Sequence, residues 1–456
     1  MRPILLAAAS ATVLFVCGPA AAQETSVRVQ LFSDVSPTSV SIIPEGADLR
    51  LFADPAQEPL ATVIAGDTVR VTRGAIDMRA TAGTLQINLT DLYVETTDAG
   101  AFIIQVRRPD GNVISRRFPG NLHVSNDPAR ARLRLVNEVD LESYVAAVVG
   151  KEYDLDADEG ARAMAIVART FAVRQMREGN GAAGDGLTSQ VYQGLDAVTE
   201  ESRAAAELTR GVILTYDASP IQAVYSASNG GHSADNAAVW SGEPLPYLKG
   251  HADRYDRDAS PYREWSFSAP ISEIHELLAP RIGVSVREVS IDERSRDGRV
   301  QSVTVTTADG REEALSGNDF RLTLSRKYGP TSLRSTRFQM EKHGDEYEFE
   351  GSGFGHGVGL SQWGAHEMSN RGYNHEEILH FYYPGTRLAT VEGLDDVEAP
   401  PLAAQAYPAA DATVSESPDD LADLGPGGSA RILGWSSVES TASNDRTEPA
   451  PRRVGW

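Results

Sequence analysis

Between residues 26 and 134 apolar and polar side chains alternate in short runs. Val27, Val29 and Leu31 flank Arg28 and Gln30, and further runs at residues 85–94 and 101–106 are separated by Gly, Asp and Asn. A period of two with such punctuation predicts β-strands with one buried face. From Val136 the period lengthens, and Leu141, Tyr144, Val145, Val148 and Val149 recur at helical spacing. A second helix is predicted over Asp158–Arg177, lined by Ala161, Met164, Ala165, Ala168, Phe171, Ala172 and Gln175, with Asp156 or Asp158 as its cap. Strands return at residues 212–214 and 221–225. Residues 271–279 read as a helix, 286–291 and 300–306 as a hairpin, and 376–382 as a last helix stopped by Pro384-Gly385. The mixture predicts an α+β fold, with a β-rich N-terminal region at 23–134 and a mixed helix/strand core at 135–390. After residue 390 large apolar side chains give way to Pro, Ala, Ser, Gly and acids, so 391–456 reads as a disordered tail.

The N-terminus changes the picture of where the chain works. Arg2, the apolar run 4–16 and Ala20-Ala21-Ala22 have the layout of a cleaved leader over residues 1–22, which predicts export. The apolar run is short for a membrane span, and no later segment is apolar enough to cross, so no stable span is expected after cleavage. Cys17 is the single cysteine and lies in that leader, which leaves the mature chain no disulfide, cysteine nucleophile or thiolate metal site. A net charge of −22 over 456 residues argues against nucleic-acid partners, which need a basic face.

Two stretches could carry chemistry. Glycines alternate from Gly351 to Gly359 around His356 and lead into Gln362 and Trp363. Such backbone can take positive φ and approach a ligand closely, and these side chains suit hydrogen bonding to and stacking on a sugar. The plainer reading is a tight structural loop. The second stretch is Gly150-Lys151-Glu152-Tyr153, where a carboxyl at a helix junction can be desolvated toward a useful acid/base pKa. Lys151 would lower that pKa if it folds toward the carboxyl. Taken alone, a glutamate is usually a solvated surface charge. Gly359-Leu360-Ser361-Gln362-Trp363-Gly364 misses the serine elbow by one residue. His375 and His380 stand one residue too far apart for a zinc helix, about 140° around its axis. His232, His251, His343 and His366 show no ligand spacing.

Several blocks, in order, resemble the SpoIID/LytB family. They are Arg117 to Val124, Val136 through Glu152, the Ala168-Arg169-Thr170-Phe171-Ala172 helix, Gln190-Val191-Tyr192-Gln193-Gly194 and Thr209-Arg210-Gly211. Tyr225-Ser226-Ala227-Ser228-Asn229-Gly230-Gly231, Gly355 to Ala365 and Tyr382-Tyr383-Pro384-Gly385-Thr386 follow. The resemblance implies a catalytic core acting as a secreted, periplasmic or cell-wall-associated peptidoglycan lytic transglycosylase. Glu152 maps onto the family's catalytic glutamate, although the family usually reads Pro-Ser-Glu-Met where this chain has Gly150-Lys151-Glu152-Tyr153. Gln190, Tyr192, Ser228, His356 and Gln362 are then sugar-positioning groups. Glycan strands are the implied substrate, and a cell-wall amidase or division protein the implied partner. The alternative is a non-catalytic, peptidoglycan-binding activator of an amidase. Some sporulation members carry zinc-binding His and Cys before Q-x-Y; residues 179–189 have neither here, so no metal and no cofactor are expected.

Overall fold

Buried and exposed positions alternate through the first twelve strands and build two sheets. The strands are β1 Ser26–Leu31, β2 Ser39–Glu45, β3 Leu49–Phe52, β4 Ala61–Val63, β5 Val69–Arg73, β6 Met78–Ala82, β7 Leu85–Leu89, β8 Asp91–Thr96, β9 Ala101–Arg107, β10 Val113–Pro119, β11 Asn121–Asp127 and β12 Arg132–Asp140. One sheet runs β1-β12-β11-β8-β3-β4, with β13 (Ala183–Gly184) added parallel to β1; the other runs β10-β9-β2-β5-β6-β7. Val29, Leu51, Val94 and Val124 of the first sheet share one core with Ile42, Val71, Ile104 and Phe118 of the second. The computed structural model describes residues 25–97, 100–179, 183–185, 190–240 and 242–392. The leader at 1–22, most of segment 179–189 and nearly all of the tail lie outside them.

Several sequence expectations are corrected. The run at 85–94 is two strands, β7 and β8, which belong to different sheets. The helical period does not begin at Val136, because β12 continues to Asp140 with Leu133, Leu135, Asn137 and Val139 all buried. Val136 is buried as well, on the opposite face, and this hides the alternation; the expected boundary at 134 therefore falls inside a strand. Of residues 221–225 only Tyr225 is strand, in the two-residue Tyr225–Ser226 that pairs in parallel with Leu360–Ser361.

Asp140 ends β12 and caps helix α1 (Leu141–Glu152), accepting the Ser143 N–H at 2.9 Å. Helix α2 (Asp158–Arg177) follows. Neither expected aspartate caps it: the capping position is Ala157, and Asp158 and Glu159 fall in the first turn, where they favour the positive end of the helix dipole. Helix α3 (Glu200–Leu208) closes a three-helix layer against the sheets.

The chain then forms two short helices, α4 (Asn236–Trp240) and α5 (Arg254–Ala259), and enters a module with its own core. Two three-stranded sheets and helices α6 (Ile271–Ile282) and α7 (Gly317–Tyr328) enclose Val303, Val305, Phe320, Leu324, Phe338 and Phe349. The expected helix at 271–279 and hairpin at 286–306 lie here. The glycine-rich stretch returns the chain to the first core through α8 (Gln362–Asn370) and α9 (His375–Tyr382). Strand Arg387–Thr390 finally pairs with Val212–Tyr216. Among the described residues no helix is long and apolar enough to cross a membrane.

The helical layer is pinned by one buried cation. Arg169 of α2 is fully buried and donates from Nε to Glu142 Oε1 at 2.9 Å and from Nη2 to Glu142 Oε2 at 2.5 Å. It also reaches the carbonyls of Ala206 and Val212, both at 3.0 Å. Next to it, the Thr170 hydroxyl donates to Ile166 O and accepts the Leu214 N–H. Breaking a buried ion pair by removing one partner costs about 3–5 kcal/mol, because a desolvated charge is left alone. Arg169→Met is therefore expected to lose stability of that order in urea unfolding. Arg169→Met/Glu142→Leu is expected to lose less than Arg169→Met alone, and strictly additive losses would contradict this role for the pair.

Candidate active site

The last residues of α1 carry Glu152 into the junction with α2, where its side chain is 1% exposed. Oε1 accepts the Val191 N–H at 2.8 Å, and Oε2 has no partner. Burial pushes the Glu152 pKa up to about 8. The Val191 hydrogen bond, the nearby Tyr225 hydroxyl and the charge of Lys151 act in the opposite direction, and Lys151 contributes least. Desolvation thus outweighs the neighbouring lysine. The C-terminal end of α1 adds to the rise, since a helix dipole disfavours negative charge there. At neutral pH the carboxyl holds a proton, and with Oε1 occupied as an acceptor that proton belongs on Oε2.

Around this oxygen stand other polar atoms without partners. Gln190 accepts the Tyr144 hydroxyl at 2.9 Å through Oε1, which leaves Nε2 unpaired. Gln362 donates Nε2 to the Glu152 carbonyl at 2.8 Å and keeps Oε1 unpaired. The Tyr225 hydroxyl approaches both Glu152 and Gln190 without forming a hydrogen bond to either. Buried polar groups are normally satisfied, so three orphans beside the unpartnered Oε2 of one protonated carboxyl describe a place prepared for a polar ligand.

His356 belongs to the same neighbourhood but not to the acid/base work. Gly353, Gly355, Gly357 and Gly359 all have positive φ. At Gly359 a side chain would also overlap the Val224 carbonyl, so only glycine lets the loop lie against the Tyr225 strand. His356 Nδ1 accepts the Val358 N–H at 3.0 Å, and the ring lies 4.9 Å from Trp240. Burial, with Arg321 and Arg299 nearby, lowers its pKa to about 3. It is a neutral ring beside the main chain of Tyr225.

Tyr192 and Ser228 occupy other surroundings. Tyr192 is fully buried, stacks on Tyr144 and donates to Asn137 Oδ1 at 2.8 Å. Ser228 donates to Asp256 Oδ1 at 2.9 Å; Ser361 donates to Oδ2 at 2.6 Å, and the N–H groups of Asn229 and Gly231 complete the set. Asp253 Oδ2 receives Asn229 Nδ2 and the Tyr382 hydroxyl, both at 2.7 Å. This network ties the Tyr225–Gly231 block, α5, the glycine loop and α9 together. Ser228 and Tyr192 therefore frame the site, whereas Glu152, Gln190 and Gln362 surround the orphan oxygen. Tyr225, which sequence reasoning passed over, joins them. Its signal was its place at the head of a quoted block. Among the described residues no group of three or more His, Cys, Asp and Glu is placed to hold a metal.

Packing explains the unusual residues beside Glu152. A Cβ at position 150 would overlap the Ala197 carbonyl, and one at 160 would overlap the Tyr153 hydroxyl. Tyr153 is buried, and its hydroxyl has no partner. Gly160 is thus the space that Tyr153 fills. Gly160→Ala gains up to about 1 kcal/mol of helix propensity but overpacks a rigid ring at about 1–3 kcal/mol. Net destabilisation is expected in thermal unfolding. Tyr153→Phe should relieve it and alone be neutral or stabilising; a double variant no more stable than Gly160→Ala would refute this fit.

A family model described as SpoIID, stage II sporulation protein, matches residues 129–216. A second model, a domain of unknown function, matches residues 251–359. Stage II sporulation protein D of Bacillus subtilis (strain 168) is 29% identical over 281 residues, 56% of this chain and 76% of that protein. Its counterpart in Bacillus amyloliquefaciens is 30% identical over 278 residues, again 56% of this chain and 76% of that protein. The amidase enhancer of Bacillus subtilis (strain 168) is 29% identical over 273 residues, 51% of this chain and 38% of that protein. The chain belongs to the stage II sporulation protein D (SpoIID) family.

Proposed function

We propose that the protein is a peptidoglycan lytic transglycosylase with Glu152 as its acid and base. The observation that carries the reading is a protonated carboxyl whose Oε2 is unpartnered among the Tyr225 hydroxyl, the Gln190 amide and the Gln362 carbonyl. Glu152 donates its proton to the leaving oxygen of the bond between MurNAc C1 and GlcNAc as that bond breaks. The carboxylate then takes the proton of the MurNAc C6 hydroxyl, whose oxygen bonds to C1 and closes a 1,6-anhydro ring. The proton returns to Glu152, and no water is consumed. Glycoside hydrolysis ordinarily needs a second carboxylate. Here the substrate supplies the nucleophile, and no second carboxylate contributes to the Glu152 shift among the described residues. Gln190, Tyr225 and Gln362 position the sugars through their unpaired atoms. The leader at 1–22 would deliver the chain to the cell wall.

A second reading is favoured by the likeness to the amidase enhancer and by the near-complete burial of Glu152. In it the chain binds glycan and activates a cell-wall amidase without cutting. Mass spectrometry of glycan strands after incubation separates the two. Wild type is expected to release 1,6-anhydroMurNAc ends, and Glu152→Gln to release them about 10²–10⁴-fold more slowly. Anhydro ends at a normal rate from a folded Glu152→Gln protein would remove Glu152 from the chemistry, and none from wild type would favour the activator.

The pH dependence follows from the raised pKa. The acid form is the active form, present below about 8 and lost above it. The rate constant kcat/KM is expected to fall about tenfold per pH unit above that point. A fall beginning near pH 5 would show an ordinary solvated carboxyl.

A further inference from the structure

The outward positions of the second sheet form a strip without acids. Ser115, Gln105, Ser41, Arg70, Thr81 and Gln86 align in one row across β10-β9-β2-β5-β6-β7. Ser39, Thr72, Arg79 and Asn88 align beside it, and Arg107 continues that line on β9. Neither row holds an Asp or Glu, although the chain has 64 acidic residues to 42 basic ones. Arg70, Arg79 and Arg107 are exposed, and among the described residues no carboxylate pairs with them. Arg107 donates to the Gly111 carbonyl at 2.8 Å, and Gln86 turns its amide oxygen to Arg79.

Toward the β7 edge the strip deepens into a hollow of about 750 Å³. It is lined by Arg73, Asp77 and Ile87 and by four members of the rows, Arg79 among them. Arg73 Nε is buried there without a partner. Asp77 lies against Gly74, where a Cβ would overlap its Oδ1, and it pairs with neither arginine. Ile76, 81% exposed in the turn between β5 and β6, sets an apolar surface next to Asp77. Two guanidinium groups against one carboxylate leave the hollow cationic, and paired N–H donors suit the two oxygens of a carboxylate. The amides and hydroxyls of the rows add hydrogen bonds for a polar chain laid across the sheet.

This surface is remote from Glu152. The β10 edge meets α1 through the turn at Gly194–Ala197: Arg117 pairs with Asp196 at 2.7 Å, and the Ala197 carbonyl abuts Gly150. The strands of the hollow, β5 to β7, stand three to five strand spacings further on, about 14–24 Å. We propose that the strip and its hollow are an anchoring surface for the ionised carboxyl groups of peptidoglycan stem peptides, separate from the Glu152 site. The inference rests on the cell-wall reading above. It gives the β-rich region a task of its own, holding the chain on the wall while Glu152 acts on the glycan.

Co-sedimentation with purified sacculi tests it, using the full-length mature chain carrying Glu152→Gln so that nothing is cut. Adding Arg70→Gln/Arg79→Gln/Arg107→Gln is expected to weaken binding about tenfold or more, the combined effect of three exposed ion pairs. Capping the sacculus carboxyls as methylamides should weaken the parent to a similar extent and should affect the triple variant far less, because both changes break the same contacts. Should the triple variant fail to fold, the capping arm on the parent still decides. Equal binding by parent and variant, equal binding of capped and uncapped sacculi by the parent, or equal capping losses in both proteins would overturn the anchor alone. A face covered instead by the chain's own acidic stretch, nine Asp and Glu with no Lys or Arg at residues 392–423, would give a variant that binds as well as the parent or better, which overturns it too. Sedimentation of neither protein would overturn the cell-wall reading and the anchor with it.

Discussion

The Arg169 guanidinium sets the geometry from which the rest follows. Its ligands come from α1, the end of α3 and the Val212–Tyr216 strand, so four elements must meet at one point for a buried cation to be satisfied. Ridge-and-groove packing of alanine-rich helices would tolerate sliding; a bidentate pair to Glu142 does not. With the first turn of α1 fixed in this way, its rigid ten-residue continuation fixes where Glu152 arrives. The Asp256 network does the corresponding work on the other wall, where it clamps the Tyr225 strand to the glycine loop and α8.

Between these clamps the protein holds a group it would be more stable without. Glu152 has lost its water, sits at the unfavourable end of a helix dipole and receives one backbone hydrogen bond. Lys151 is adjacent in sequence yet is the weakest influence on it. The outcome is a carboxylic acid rather than a carboxylate at neutral pH, and it is imposed by packing more than by charge. Burial does the same to a second titratable group, holding His356 of the glycine loop neutral with Arg321 and Arg299 nearby.

Sequence and structure agree where a single period governs a single face. β1, β9, the hairpin at 286–307 and α9 show it; α2 lies where it is expected but is buried on nearly every side from Gly160 to Val173, while Phe171 and Gln175 of its expected lining are half-buried. They part where both faces are covered, as at Val136, or where a tight turn moves the chain between sheets, as between β7 and β8. The candidate residues divide in the same way. Glu152 and Gln362 were legible because a helix junction and a glycine-rich loop announce special backbone. Tyr192 and Ser228 carry the same hydroxyl chemistry as sugar ligands, but Asn137 and Asp256 claim them, and those partners lie 55 and 28 residues away in the chain. No local pattern could reveal that. Tyr225 escaped for the converse reason: what distinguishes it is a partner it lacks, which only the folded chain displays.

Packing keeps Glu152 protonated in the resting protein. Carbon-13 NMR of glutamate side-chain carboxyls, with Glu152 assigned by its loss in Glu152→Gln, measures this without reference to any substrate. One carboxyl resonance is expected to titrate at about 8, well separated from the others, and to vanish in the variant. A Glu152 signal moving with the bulk, near the ordinary glutamate value of about 4.3, would contradict it.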